Sequence, residues 1–245
     1  MQTVLITGCS SGFGLETAHF FLDRGWAVVA TMRQPGPDAL PPSDRLRLLA
    51  LDVTDPVSID QAVTAAGPID VLVNNAGIGW LNALEGTPMA AARELFETNT
   101  LGTIAMTQSV LPQMRERRAG VIVNVSSSVT LSALPLLSVY TASKAAVNAF
   151  TESLELELEP FGIRARLVLP GRAPDTSFGA NARARMTDGF PDAYGELVQR
   201  VFAKWQEPGP VTHSSDVTEA VWRAATDPSC PMRLPAGADA IAAAR

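Results

Sequence analysis

Short, almost continuously apolar runs alternate along the chain with longer segments in which apolar residues recur at helical spacing. The apolar runs are rich in β-branched residues and are bounded by Gly, Pro, Asp or Asn, which is typical of strands buried on both faces of a sheet. Six runs predict strands: Val4–Thr7, Ala27–Met32, Leu46–Leu51, Val71–Asn74, Val121–Val125 and Arg164–Leu169. The segments between them predict helices over residues 13–24, 56–66, 88–118 and 139–159.

The regular alternation predicts the fold class. Strands joined by right-handed helical crossovers pair in parallel and are covered by helices on both faces. We therefore expect a single α/β domain over residues 1–245, built on a doubly wound parallel sheet. Residues 171–213 break the rhythm, with weak periodicity except around 193–204. A late insertion of this kind more often covers an active site than forms a second domain, so we predict a substrate-covering segment at about 172–213.

Composition and charge narrow the classes of partner. The chain is 47% hydrophobic and carries a net charge of −6, which argues against a nucleic acid or an anionic membrane as partner. No apolar run reaches the roughly 18–20 residues of a membrane span, and the N-terminus lacks the features of a signal peptide, so we expect a cytoplasmic protein. The two cysteines, Cys9 and Cys230, cannot build a disulfide framework, and no Cys/His spacing predicts a metal site.

A glycine-rich loop, TGCSSGFG at residues 7–14, follows the first predicted strand directly. Gly8 permits a tight turn, while Gly12 and Gly14 let the backbone approach a pyrophosphate and let the following helix pack closely on the sheet. The N-terminus of that helix offers free N–H groups to phosphates. A glycine motif alone is weak and an ordinary turn is the alternative. Its place between a strand and a helix favours dinucleotide binding and a Rossmann fold.

The end of the second predicted strand indicates which dinucleotide is bound. A carboxylate about 20 residues past such a loop usually receives the ribose hydroxyls of NAD, but Met32 stands there. Arg33 follows, and an arginine can make a bidentate, charge-assisted contact with the 2′-phosphate of NADP. We therefore predict NADP(H) as the cofactor. A solvated surface arginine is the alternative.

The spacing of Tyr140 and Lys144 predicts a proton-transferring pair. The chain has two tyrosines and two lysines, and these two lie at i and i+4, on one face of a predicted helix. A neighbouring ammonium favours the phenolate, so we expect the pKa of the tyrosine to be lowered toward neutral pH. A surface cation–π or hydrogen-bonded pair is the alternative.

Together these motifs resemble the short-chain dehydrogenase/reductase family, from residue 3 to about residue 171, and in particular its NADP-preferring members of the carbonyl reductase or hydroxysteroid dehydrogenase kind. The family's serine lies 13 residues before its tyrosine, which selects Ser127 over its serine neighbours. Besides the motifs above, the family's pattern is matched by LDVTD at 51–55, NNAG at 74–77, Asn99 within ETNTLG, NVSSS at 124–128 and Pro170-Gly171.

The resemblance implies four catalytic residues. Tyr140 would be the general acid in reduction and the base in oxidation, and Ser127 would donate a hydrogen bond to the substrate oxygen, so both would bind substrate. Lys144 would bind the nicotinamide ribose and lower the pKa of the tyrosine. Asn99 would hold a water that passes protons to solvent.

The resemblance also implies the residues that bind the cofactor. The family's threonine four residues past Gly171 is displaced here to Thr176, behind Pro174, so we leave it out of the predicted site. The predicted cofactor-binding residues are Gly8, Ser10, Ser11, Gly12, Phe13, Gly14, Arg33, Asp52, Val53, Asn75, Ala76, Gly77, Tyr140, Lys144, Pro170 and Gly171.

The predicted function is hydride transfer between NADP(H) and a small-molecule carbonyl or alcohol, that is, ketone or aldehyde reduction and reversible alcohol oxidation. One alternative is a sugar-nucleotide epimerase or dehydratase, which generally needs a larger C-terminal domain than the chain has after Gly171. Another is a catalytically silent NADP-sensing regulator, which predicts a damaged catalytic set. The resemblance further implies a homodimer or homotetramer formed through the helices at 88–118 and 139–159.

Overall fold

The computed structural model describes residues 1–36, 40–186 and 189–245, and in these residues seven parallel strands form one sheet in the spatial order β3-β2-β1-β4-β5-β6-β7. The strands are β1 (Thr3–Thr7), β2 (Ala27–Met32), β3 (Leu46–Ala50), β4 (Val71–Asn74), β5 (Gly120–Val125), β6 (Ile163–Pro170) and β7 (Arg233–Ala236). The helices are α1 (Gly12–Asp23), α2 (Pro56–Ala66), α3 (Met89–Phe96), α4 (Gly102–Arg117), α5 (Ser138–Leu158), α6 (Phe178–Ala184), α7 (Gly195–Gln206), α8 (Ser214–Thr226) and α9 (Ala238–Ala243).

The strand order reverses at β1, which pairs with β2 on one side and with β4 on the other. In doubly wound sheets, ligands bind in the crevice beyond the carboxyl ends of the strands at this reversal. Thr7 ends β1 and Asn74 ends β4, so the predicted glycine loop and the NNAG motif start at the same edge of the sheet. The predicted fold class, a Rossmann-type α/β fold, is confirmed.

The core lies in two layers, one on each face of the sheet. Alternate residues of a strand point to opposite faces, and accordingly Val4 and Ile6 pack in one layer while Leu5 packs in the other. The first layer includes Phe21 of α1 and Val221 of α8, and the second is closed by α2, α4 and α5. None of the described helices has the length and apolar content needed to cross a bilayer.

The predicted helix over residues 88–118 is continuous in the structure but not regular. It runs through α3, a π-helical turn at Glu97–Leu101 and then α4. A π turn accommodates one extra residue without interrupting the helical chain, so the apolar spacing in the sequence does not reveal it. The other predicted strands and helices are confirmed, with ends that shift by one or two residues.

The last third of the chain has more regular structure than the sequence predicts. Residues 214–243 form α8, β7 and α9, and β7 adds the seventh strand beside β6. The guanidinium of Arg164 donates to the carbonyls of Ala224, Ala225 and Asp227, at the C-terminal end of α8. This part of the chain therefore completes the sheet. The predicted covering segment at 172–213 contains α6 and α7, and its residues 187 and 188 lie outside the described residues.

Candidate active site

Hydrogen bonds join the carboxyl ends of β1 and β4 into one unit. The Thr7 hydroxyl accepts from the backbone nitrogens of Asn75 (3.0 Å) and Ala76 (2.9 Å). The Asn75 amide donates in return to the carbonyls of Thr7 (2.9 Å) and Gly8 (3.2 Å). Gly8 has a φ of +75°, and a Cβ there would lie 2.8 Å from the Ala76 Cα, so the contact between the two loops requires glycine.

The glycine loop leaves the start of α1 accessible. Gly12 has a φ of +58°, and among the described residues a Cβ there would meet nothing closer than Thr176, at 3.7 Å. The side chain of Ser11, the N-cap residue, makes no hydrogen bond to the first turn of α1 within the part of the chain that the structure describes. The first N–H groups of the helix and its positive dipole end are therefore available to an anion, which fits a dinucleotide pyrophosphate.

The neighbouring loops at β2 and β3 carry charge at the same edge of the sheet. Arg33 is exposed directly after β2, whereas the side chain of Met32 is 4% exposed and packs in the core. The backbone N–H and the hydroxyl of Thr54 hydrogen-bond to Asp52 and lower the pKa of its carboxyl, and the charge of Arg33 lowers it further. Arg33 thus projects toward solvent beside an ionised carboxylate.

Tyr140 lies in the first turn of α5 and is 7% exposed. Burial raises the pKa of its phenol to about 12, and a hydrogen bond with Ser127 partly opposes this rise. Ser126 is engaged elsewhere, since its hydroxyl donates to the Lys144 carbonyl at 3.3 Å. The structure therefore brings Ser127, the serine chosen from the sequence, to the tyrosine.

Lys144 is buried one turn after Tyr140, and its ammonium donates to the Val125 carbonyl at the end of β5 (3.0 Å). Burial lowers the pKa of Lys144 to about 8 because the charged form loses its hydration. A Cβ on Gly77 would lie 3.4 Å from Lys144 Nζ and 3.1 Å from Asn99 Oδ1. Lys144, Asn99 and the NNAG loop therefore meet at one point.

The expected lowering of the tyrosine pKa is wrong for this structure. The pKa of Tyr140 rises because desolvation of the phenol outweighs its hydrogen bond with Ser127. Lys144 directs its ammonium to a backbone carbonyl, and its own pKa is the one that falls.

Asn99 lies in the π-helical turn and is fully buried. Its Oδ1 accepts from the backbone nitrogen of Ile78 (2.8 Å), and its Nδ2 donates to the Ile78 carbonyl (3.0 Å) and to the Ser143 hydroxyl (3.1 Å). Ser143 donates in turn to the Tyr140 carbonyl at 2.7 Å. Asn99 thereby ties the loop after β4 to the helix that carries Tyr140, and the second lone pair of Oδ1 is left for a water.

Two residues that the sequence did not indicate hold the backbone after Pro170-Gly171. The Thr212 hydroxyl accepts from the Gly171 nitrogen (2.9 Å) and hydrogen-bonds to the Asp239 carboxylate (2.6 Å). Asp239 also accepts from the Arg172 nitrogen (2.6 Å), and the Thr212 nitrogen donates to the Arg172 carbonyl (2.9 Å). The two ends of the covering segment are therefore joined at the carboxyl edge of β6.

The start of the covering segment touches both halves of the site. Thr176, which the sequence analysis left out, lies against the glycine loop at Gly12. Two residues later, the ring of Phe178 lies 5.9 Å from the ring of Tyr140, measured between centroids. The displaced threonine still reaches the glycine-rich loop, and its backbone nitrogen donates to the Ala173 carbonyl in the turn before α6.

One known protein family matches most of this chain. The family described as "short chain dehydrogenase" matches residues 2–187 of the chain. The chain belongs to this family. As a short-chain dehydrogenase it is an oxidoreductase that transfers a hydride at a CH–OH or keto group.

The short-chain dehydrogenases that it resembles include proteins with named activities. "Uncharacterized oxidoreductase YusZ" of Bacillus subtilis is 38% identical over 238 residues, which are 92% of this chain and 85% of that protein. "3-Ketodihydrosphingosine reductase" of Bacteroides thetaiotaomicron is 38% identical over 203 residues, 81% and 74% of the two chains. The solved closed form of a serine dehydrogenase complexed with NADP+ has a TM-score of 0.81, with 28% identity over 95% of this chain and 93% of that one.

The depressed pKa of Lys144 predicts how stability depends on pH. Between pH 8 and 10.5 the unfolded chain keeps the lysine proton and the folded chain loses it, so the free energy of unfolding rises with pH in this window. Across this window the free energy of unfolding of the wild type should increase by up to about 3 kcal/mol relative to that of Lys144→Met, since one pKa unit corresponds to about 1.4 kcal/mol. Urea unfolding at several pH values measures this difference.

Lys204→Met is the matched control, because Lys204 is the second lysine of the chain and is exposed. Its unfolding curve should shift with pH in parallel with the wild type. A constant difference in the free energy of unfolding between wild type and Lys144→Met from pH 7 to pH 10 would contradict the lowered pKa of Lys144.

Proposed function

We propose that this short-chain dehydrogenase uses NADP(H) to reduce a ketone or an aldehyde, and reversibly oxidises the corresponding alcohol, with Asn99, Ser127, Tyr140 and Lys144 as its catalytic residues. The observation that carries the proposal is a buried phenol with a serine hydroxyl beside it and a buried ammonium one helical turn away. A silent regulator is not favoured by any of these contacts, since each of the four side chains is present and held in place.

When bound, the nicotinamide supplies the hydride, so that two electrons pass to the carbonyl carbon and NADPH becomes NADP+. Tyr140, with a pKa near 12, is protonated at neutral pH and can give its proton to the carbonyl oxygen as the alcohol forms. The Ser127 hydroxyl donates a hydrogen bond to the same oxygen while negative charge develops on it. The tyrosine then regains a proton from solvent, which balances the reaction.

Lys144 and Asn99 fit positions beside the nicotinamide ribose. The Lys144 ammonium has donors beyond its bond to the Val125 carbonyl, and a Cβ on Gly77 would lie 3.4 Å from its Nζ. The remaining lone pair of Asn99 Oδ1 is suited to a water that passes protons outward.

The remaining contacts proposed for NADP(H) run along the carboxyl edge of the sheet. The glycine loop would hold the pyrophosphate, Asp52 and Val53 the adenine, and Pro170-Gly171 the nicotinamide end. NADP over NAD is supported by Arg33, which is exposed where the 2′-phosphate would lie, and by the NADP+ complex of the related serine dehydrogenase. Residues 172–213 would cover the substrate.

Tyr140→Phe tests the proton donor. Removing one oxygen should lower kcat by ~100-fold or more, the usual scale for loss of a general acid, while NADPH still binds. Stopped-flow reduction of an active ketone measures kcat, and NADPH fluorescence measures cofactor binding. Tyr194→Phe, which alters the second tyrosine of the chain, is the control and should behave as the wild type. Undiminished turnover by Tyr140→Phe would remove the tyrosine from this role.

Arg33→Ala tests the choice of cofactor. Loss of a charged hydrogen bond to the 2′-phosphate should lower kcat/KM for NADPH by about 10- to 150-fold and leave kcat/KM for NADH nearly unchanged. Met32→Asp should not be combined with Arg33→Ala in this test, because Met32 is buried and a carboxylate there would be desolvated. Arg115→Ala, at an exposed position on α4, is the control. A wild type that already prefers NADH would overturn the assignment.

We also propose a homodimer or homotetramer formed through α4 and α5. Leu156 on α5 is 72% exposed and Leu101, just before α4, is 47% exposed, whereas Val147, Leu154 and Leu158 of α5 are buried and are not available to an interface. Light scattering at micromolar concentration should give at least a dimeric mass, and Leu156→Glu should reduce it by placing a charge in the interface. Leu84→Glu, at an equally exposed leucine elsewhere, is the control. A monomeric wild type would contradict the proposal.

A further inference from the structure

The aromatic residues of the covering segment fall into two groups. Phe202 lies 6.0 Å from Phe190 and 5.5 Å from Trp205, ring centroid to ring centroid, and these three pack with Leu81 and Val201 in a separate apolar cluster. These three rings therefore form the core of the covering segment. Phe178 is outside that cluster and is 42% exposed, so a core role does not account for it.

Phe178 contacts the wall of the candidate site. Its ring is tilted by 54° against the ring of Tyr140, with the centroids 5.9 Å apart. A Cβ on Gly79 would lie 2.8 Å from Phe178 Cε1 and 2.9 Å from Cζ, so the ring edge occupies room that exists because residue 79 is glycine. The partly exposed ring of Phe178 thus lies beside the almost fully buried ring of Tyr140.

The hydrophobic side chains that pack with Tyr140 form a small cluster of their own. The pKa of Tyr140 reflects burial and the Ser127 hydrogen bond, and no charged side chain within residues 1–36, 40–186 and 189–245 contributes to it. A carboxylate packed among these side chains would lose its hydration, and the nearby Lys144 ammonium already donates to the Val125 carbonyl. The residues packed around the tyrosine are Ile78, Trp80, Ala91, Leu95, Val129, Leu137 and Val139.

We propose that Phe178 is a specificity-determining residue, and that it forms the wall against which an uncharged aryl or alkyl group of the substrate packs. The substrate class is then neutral ketones or aldehydes with an apolar group near the carbonyl carbon, and 2-oxo acids are excluded. This inference rests on the proposed carbonyl reduction.

Three carbonyl compounds separate the effect of the aryl group from the effect of a carboxylate beside the carbonyl. They are 4-phenyl-2-butanone, its 2-oxo acid analogue 4-phenyl-2-oxobutanoate, and 2-butanone, which lacks the aryl group. The wild type should prefer the aryl ketone over the acid by about 100-fold in kcat/KM, because the acid must bury its charge among apolar side chains. Phe178→Ala should lower kcat/KM for the aryl ketone by about tenfold, the scale of losing a buried apolar contact, and that for 2-butanone by less than about twofold. The KM for NADPH should not change.

Phe202→Ala is the matched control, because it removes an aromatic ring of the same segment that packs away from Tyr140. It should affect both ketones equally. An equal loss on both ketones in Phe178→Ala, or a wild type that prefers the 2-oxo acid, would overturn the proposal.

Binding measurements distinguish failure of the proposal for Phe178 from failure of the proposed carbonyl reduction. If the wild type reduces none of the three compounds, calorimetric titration of the NADP+-loaded protein with 4-phenyl-2-butanol still tests the wall. Phe178→Ala should then bind the alcohol about tenfold more weakly than the wild type and Phe202→Ala do. Equal affinities, or no detectable binding to the wild type, would reject the role of Phe178.

Discussion

The hydrogen bonds between the ends of β1 and β4 are the constraint on which the rest of the site depends. The Thr7 hydroxyl and the Asn75 amide together make four bonds across the point where the strand order reverses. They hold Gly8 in a left-handed conformation against Ala76, and so set where α1 begins. The same NNAG loop continues to Gly77 beside Lys144. One local network therefore positions both the glycine-rich loop and the surroundings of Lys144.

Desolvation gives Tyr140 and Lys144 complementary protonation states. Burial disfavours whichever form carries charge, so it raises the pKa of the phenol to about 12 and lowers that of the ammonium to about 8. At neutral pH the tyrosine is a proton donor and the lysine still carries most of its charge. The apolar residues packed around Tyr140 contribute to this burial. The proposed preference for an uncharged substrate depends on the same desolvation.

The π-helical turn at Glu97–Leu101 connects the loop after β4 with α5, the helix that carries Tyr140 and Lys144. It directs Asn99 into the interior, where the amide bonds to the Ile78 backbone and to Ser143, and Thr100 bonds to the Ser143 carbonyl at 2.9 Å. These side-chain bonds offset the departure from regular α-helical geometry. Through them α5 is held at a defined distance from the loop after β4. The position of Tyr140 therefore depends on a turn that lies about 40 residues earlier in the chain.

Features that depend on near neighbours could be predicted from the sequence: six strands, the glycine loop, the i, i+4 spacing of Tyr140 and Lys144, and Ser127. Features set by distant contacts could not. Thr212 and Asp239 bond to residues 41 and 67 positions away, and β7 is a four-residue strand that contains a proline. Burial of Met32, the rise in the pKa of Tyr140 and the approach of Phe178 follow from how the whole chain excludes water. Local pattern determined the elements and the candidate residues, whereas tertiary packing decided their protonation and their contacts, because desolvation is a property of the assembled fold.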